Sequence, residues 1–280
     1  MGVVILILSV TCAVILYTTL REDRSSTLTV SFLDVGQGDS IYIESPTGTS
    51  VLIDGGPTAS VLRQLGTEMP WYDRTIDLII PTHPDADHIG GLIDVLGRYR
   101  TSIILESSVG GNTATWKMFR QIAQSVHQTG TRVIQAQRGQ IIDLGGGAYI
   151  EVLFPDRTVP DLETNTGCIV SRLVYGKTAF LFDCDAPQAV ERYLVSLDGI
   201  DLQANVLKAG HHGSKTSSAR IFVGYVNPQY VVYSRACDNT YGFPHKETLE
   251  TFKAFEIPTL DTCKRGTITF MSNGEAVHIK

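Results

Sequence analysis

The chain has 280 residues, 43% of them apolar and 19% charged, a balance that supports a large core and argues against disorder. Its 23 Lys and Arg against 29 Asp and Glu give a net charge of −6. That argues against broad, sequence-independent binding to a polyanion, though not against a local basic groove. No charged residue interrupts Gly2 to Leu20. At about 1.5 Å per residue this run reaches roughly 28 Å, close to the hydrocarbon thickness of a bilayer. The expectation is one N-terminal transmembrane helix, an uncleaved anchor over residues 1–21. A cleaved signal peptide fits less well, because no Lys or Arg precedes the run and no clear small-x-small site follows. Residues 22–26 read as a polar linker and 27–280 as the body of the protein.

In the body, Leu28, Val30 and Phe32 alternate with Thr27, Thr29 and Ser31, the pattern of a half-buried strand. Ile41–Ile43 and Val51–Ile53 predict further strands around a Pro46-Thr47-Gly48-Thr49 turn, and Ile76–Ile80 a short apolar strand. Leu92–Tyr99, Trp116–Gln128, Pro187–Leu197 and Lys246–Phe255 predict helices. Strands recur around Ile103, Val133, Ile150, Val170, Phe180, Val206 and Val231, and a hairpin turning at Asn273-Gly274 closes the chain. Runs of strands with helices between them imply layered α and β structure. The five cysteines, an odd number without CxxC spacing, show neither a zinc ribbon nor an obvious disulfide framework.

Chemistry concentrates after the strand Ile76–Ile80, in Thr82-His83-Pro84-Asp85-Ala86-Asp87-His88-Ile89-Gly90-Gly91. His83, Asp85, Asp87 and His88 offer the imidazole and carboxylate donors that divalent metals take at about 2.0–2.2 Å. On an extended loop, side chains 83, 85 and 87 alternate and converge, while His88 turns toward a second metal where the helix begins. A polar turn capping a helix would also use Asp85 and Asp87, but the two histidines argue against that. Phe180–Asp185 runs an apolar strand into Asp183 and Asp185, and an Asp at a strand end can bridge two cations. Val206–Ser214 delivers His211 and His212 to a glycine turn. Adjacent histidines on an extended chain point apart, so one ligates and the other contacts substrate. Backbone N–H groups of Gly213 and Ser214, followed by Lys215, offer an anion site. His245 stands at a helix start.

These motifs resemble the metallo-β-lactamase fold, and more closely the C-terminal domain of the ComEC competence proteins and its stand-alone relatives. Phe32–Ser40, Leu52–Gly56, Asn165 ahead of the Ile169–Tyr175 strand, and Tyr241-Gly242 with His245 add to the likeness, which runs from about Thr27 to the C-terminus. The resemblance implies a four-layer αββα sandwich and two divalent metal ions, Zn2+ or Mn2+. It places His83 and Asp85 on the first metal and Asp87 with His211 or His88 on the second. Asp185 bridges and Asp54 supports the loop. Asn165 sits near the position of a further histidine in many members. HxDxDH here replaces the usual HxHxDH, and the harder oxygen of Asp85 shifts preference from zinc toward manganese. Cys184 replaces an expected glycine, and Phe243 an expected histidine.

Residues and resemblance together predict metal-dependent hydrolysis, in which a cation lowers the pKa of bound water from about 15.7 toward ~7 and supplies a metal-bound hydroxide. Asp87 would accept the proton, and His212 or His245 would contact a phosphate oxygen or protonate the leaving group. The expected activity is a phosphodiesterase or nuclease, with single-stranded DNA at the cell surface as substrate. The alternatives are a hydrolase of a small ester, lactone or phosphocholine-type substrate, and a membrane-tethered scaffold with a degenerate metal site. The expected location is the cell membrane with the body extracytoplasmic, although the Lys and Arg following the span weakly favour the cytoplasmic side.

Overall fold

The structure, a computed structural model, describes residues 2–21 and 26–280, without the side chains of residues 16 and 18–21. Two sheets face each other. The first has eight strands in the order Val277–Ile279, Ile268–Ser272, Leu28–Phe32, Ile41–Glu44, Ser50–Ile53, Thr75–Ile80, Arg100–Glu106, Arg132–Gln135. The second has seven, in the order Thr259–Asp261, Tyr230–Tyr233, Val206–Lys208, Thr178–Phe182, Val170–Tyr175, Ala148–Phe154, Ile141–Gly145.

Alternation along each strand builds the layers. Val30, Phe32, Ile43, Val51, Leu78 and Ile80 point between the sheets and meet Ile150, Leu173, Phe180, Phe182 and Val206. The neighbouring residues Leu33, Tyr42, Leu52 and Ile79 point outward and are covered with Val61, Leu65, Leu92, Val95 and Phe119. These belong to the helices Ser60–Glu68, Ala86–Leu96 and Ala114–Gln128. On the far face Leu181, Leu207 and Val231 pack on Val190, Leu194, Phe222 and Phe252 of Gln188–Asp198, Arg220–Val226 and Lys246–Ala254. Both sheets are therefore buried on two faces, giving an α/β/β/α sandwich. Each fully buried Leu, Ile, Val or Phe contributes roughly 1.5–3 kcal/mol of transfer free energy.

Among the described residues no helix is long and apolar enough to cross a membrane. This overturns the transmembrane anchor expected over 1–21, and with it the single-pass cell-membrane location, the extracytoplasmic placement and the membrane as a partner. A helix does form at Gly2–Arg21. Ser9 and Thr11 lie within it and bond back to the carbonyls of Ile5 and Ile7. Apart from Ser26, the linker expected at 22–26 lies outside the described residues.

Two further expectations are corrected. The helix expected from Leu92 starts at Ala86, because the N–H groups of His88 and Ile89 both bond to the Asp85 carbonyl. Four cysteines form disulfides, Cys168–Cys184 and Cys237–Cys263, spanning 16 and 26 residues. Packing brings these pairs together, and no local spacing announces them.

Candidate metal centre

Five loops meet at one edge of the sandwich. Residues 33–40, 54–56 and 81–88 leave the first sheet, and 183–186 and 209–214 leave the second. Glycine allows the first of these to close in. Gly38 has φ +125°, and a Cβ there would fall 2.0 Å from the Asp87 carbonyl oxygen. The Asp39 N–H bonds that same oxygen at 3.2 Å. Gly213 (φ +91°) plays the matching part on the other side, where a Cβ would meet Pro244 and the Tyr233 ring.

Three buried histidines turn the same nitrogen inward. His212 Nδ1 donates to the Ser234 carbonyl at 2.8 Å, and His88 Nδ1 donates to Asp54 Oδ2 at 2.8 Å. His83 Nδ1 lies 3.0 Å from Thr82 Oγ1, whose own proton goes to Asp54 Oδ2 at 2.7 Å, so His83 is the donor. Fixing Nδ1 as a donor leaves Nε2 to hold a cation, the usual arrangement behind a metal-binding histidine. The Nε2 atoms of His83, His88 and His212 are all buried without a hydrogen-bond partner.

Carboxylates face these nitrogens. Asp185 Oδ2 lies 3.4 Å from His88 Nε2, 3.4 Å from His212 Nε2 and 3.6 Å from His211 Nε2. Asp87 Oδ2 lies 3.3 Å from His212 Nε2. Two ligands at about 2.1 Å from one tetrahedral cation stand roughly 3.4 Å apart, so these separations suit shared metals. His83, His88 and Asp185 form one compact donor group, and Asp87, His88 and His212 another. Two more combine Asp39 with Asp54 and His88, and Asp39 with Asp185 and His212. His88 belongs to three of these groups and Asp185 to two, an overlap that fits a pair of divalent cations better than one.

The electrostatics fit the same occupant. Burial, then the neighbouring His88, pushes the His83 imidazole down to about 3, leaving its ring neutral. Burial opposes charge on His88 and His212 as well, but Asp185 with Asp54, and Asp185 with Asp39, hold both well above the usual imidazole value. Burial alone would raise Asp185, yet His212, His88 and Lys208 keep it well below the carboxylate range. Without a cation, protons on histidine do the work of positive charge among crowded carboxylates.

The residues singled out in the sequence fall into three groups. His83, Asp87, His88, Asp185 and His212 converge, and Asp54 stands behind them, accepting from Thr82 N as well. Asp85 stays at the rim with a 39% exposed side chain, 3.7 Å from His83 Nε2. It accepts from Thr164, next to Asn165, whose Oδ1 is buried and unpartnered. His211 and His212 do not alternate on an extended chain: both take left-handed backbone (φ 47° and 54°), so both rings reach toward Asp185. The anion cradle expected at 213–215 is partly spent. The Ser214 N–H bonds the His211 carbonyl and the Lys215 N–H bonds His245 Nδ1. His245 is in none of the donor groups.

Sequence reasoning missed two contributors. Asp39 was part of a recognised glycine-rich stretch but carried no role. Lys208, 1% exposed, places its ammonium on the Cys184 carbonyl at 2.7 Å, on Asp39 Oδ2, and 3.4 Å from Asp185 Oδ1. A lysine in an otherwise apolar strand just ahead of Gly-His-His was the available signal.

Residues 33–235 match the metallo-beta-lactamase superfamily. The chain is 25% identical to ComE operon protein 3 of Bacillus subtilis (strain 168), over 92% of this chain and 35% of that protein. It is 29% identical to competence protein ComA of Neisseria gonorrhoeae, over 86% of this chain and 32% of that protein. The chain thus spans about a third of the length of these relatives. Among solved structures, Igni18, a metallo hydrolase of Ignicoccus hospitalis, superposes with a TM-score of 0.54 at 16% identity, covering 87% of this chain and 98% of that one. That likeness is one of fold.

Proposed function

The chain belongs to the metallo-beta-lactamase superfamily and is a metal-dependent hydrolase, and from that premise we propose that it cleaves phosphodiesters, with single-stranded DNA as its polymer substrate. The carrying observation is the pair of donor groups, His83 with His88 and Asp185, and Asp87 with His88 and His212, that meet at His88. Two adjacent cation positions suit a displacement in which attacking and leaving oxygens must both be held. One relative, competence protein ComA, carries a name in keeping with a DNA substrate.

Cations held by His83, His88, Asp87, Asp185 and His212 would supply Lewis acidity, lowering the pKa of water toward ~7 and offsetting phosphoryl charge. The chain's own groups do the rest. Asp87 is held well below the ordinary carboxylate range: burial opposes this, but His212 and His88 outweigh it. With a 33% exposed side chain it is open to substrate, and its ionised oxygen would accept a hydrogen bond from an attacking water and take up the proton that water loses. His245 Nδ1 accepts from the Lys215 N–H at 3.0 Å, so a neutral ring carries its proton on Nε2. That N–H can donate a hydrogen bond to a phosphate or leaving oxygen. Lys208 and Asp54 stay behind the reacting atoms and hold Asp185, Asp39 and His88 in place.

The test is turnover of labelled single-stranded DNA and bis-p-nitrophenyl phosphate by purified chain with manganese or zinc, against a panel of small esters and lactones. Diester cleavage is expected. Turnover of esters or lactones alone would replace this reading with the small-ester one. The tethered scaffold with a degenerate site is set aside, because the chain is a metal-dependent hydrolase of this superfamily and the anchor is overturned.

A further inference from the structure

Aromatic rings lead from the histidines to the surface. Phe243, 9% exposed, meets His211, His212 and His245 with ring centroids 5.5, 6.1 and 5.2 Å away. Tyr241 stacks on Phe243 with centroids 5.3 Å apart and planes 14° apart, and is itself 61% exposed. One face of an aromatic pair is thus open, one ring beyond the histidine cluster.

The loop carrying these rings is anchored. Asn239 Oδ1 accepts from the Phe243 N–H at 2.8 Å, and its Nδ2 donates to the carbonyls of Ala236 and Phe243 at 2.9 and 3.0 Å. The Cys237–Cys263 disulfide ties its start to the neighbouring helix. Beside it lies a cavity of about 420 Å3 lined by Tyr241, Asn239, Pro57, Gln37 and Asp87. Asp87 belongs to a donor group of the metal centre, so cavity and centre are continuous. Gln37 Nε2 is buried there without a hydrogen-bond partner.

A flat, rigidly backed ring at this exposure suits a ligand with a flat face of its own. A saturated ester or lactone has none, whereas every nucleobase does. In a duplex that face is covered by neighbouring base pairs, so only an unpaired base can use it. We propose that Tyr241, backed by Phe243, is a stacking platform for an unpaired nucleobase next to the scissile phosphate, with Gln37 Nε2 donating to the base edge. This rests on the phosphodiesterase reading and says how a single strand would be held at the centre.

The test uses the manganese-loaded full chain and two hydrolysis-resistant phosphorothioate strands of equal length, one oligothymidylate and one abasic. Wild type should bind the thymidylate about tenfold more tightly, the size of one base–aromatic stack. Tyr241→Ala should bring both strands to the abasic value, and Tyr241→Phe, which keeps the ring, should retain the preference. Equal affinity for both strands in wild type, or a preference that survives in a folded Tyr241→Ala, overturns the platform. Because binding is read without turnover, this decides the platform separately from the reaction. Cleavage of ordinary strands at one KM with or without the adjacent base would keep the phosphodiesterase and remove the platform.

Discussion

Asp54 accepts three hydrogen bonds, from Thr82 N, Thr82 Oγ1 and His88 Nδ1, and so orients His88 directly and His83 through a hydroxyl. Outer partners of this kind typically change metal affinity by about 10–100-fold when altered. Asp54→Asn should weaken metal binding by that order, measured by competition with a chelating dye. Asp87→Ala should lower kcat/KM by at least ~100-fold, because it removes both a donor and the proton acceptor. Wild-type rates in that variant would take Asp87 out of the reaction. The raised His88 and His212 set a pH dependence. A histidine whose folded pKa is raised contributes stability that is fully present below its unfolded value of about 6.5 and lost as pH rises through the folded value. Cations replace those protons, so the rise in Tm on adding manganese should be larger at pH 8 than at pH 6. A larger gain at pH 6 would contradict the protonation described here. His83, Asp87 and His88 were legible because they share one short motif. Asp39 and Lys208 were not, because only packing of the two sheets brings them to Asp185. His211 and His212 could not be told apart without the left-handed turn.

At the level of elements, the turn after Thr178–Phe182 shows what a sequence hides. Cys184 takes φ +43°, which accounts for the glycine expected there from the resemblance, and its carbonyl accepts from Lys208 Nζ and the His211 N–H. The disulfide to Cys168 fixes this turn against the segment whose Ile169 N–H bonds the Thr82 carbonyl beside His83. Closing a loop of 16 residues contributes roughly 3 kcal/mol on chain-entropy grounds. Cys168→Ser should therefore lower stability by about that amount in urea, and it should also reduce metal retention after desalting. Unchanged retention would confine the bridge to stability. Strands were readable from their alternation, but the start of Ala86–Leu96 was not. Asp85 and Asp87 suit either a loop or a first helical turn, and only the two bonds to the Asp85 carbonyl decide it.

For the whole molecule, the layered sandwich followed from strands with helices between them and from the resemblance. Burial of both sheet faces then explains why so many strands lack a polar side. The N-terminal reading erred because an uncharged run alone was counted as a span, whereas among the described residues no helix is long and apolar enough to cross a membrane. The acidity of the chain is less awkward once three carboxylates, Asp39, Asp87 and Asp185, are seen gathered with histidines in one centre. Cations bound there offset part of the net charge of −6 near a polyanionic substrate.

The central claim is that His83, His88, Asp87, Asp185 and His212 jointly hold divalent metal. Metal analysis of the purified chain after loading with manganese or zinc and desalting tests it most directly. About two ions per chain are expected, falling below about one in His212→Ala and His88→Ala, which remove shared donors. Fewer than about 0.2 ions per wild-type chain, or a full complement in both variants, would contradict it.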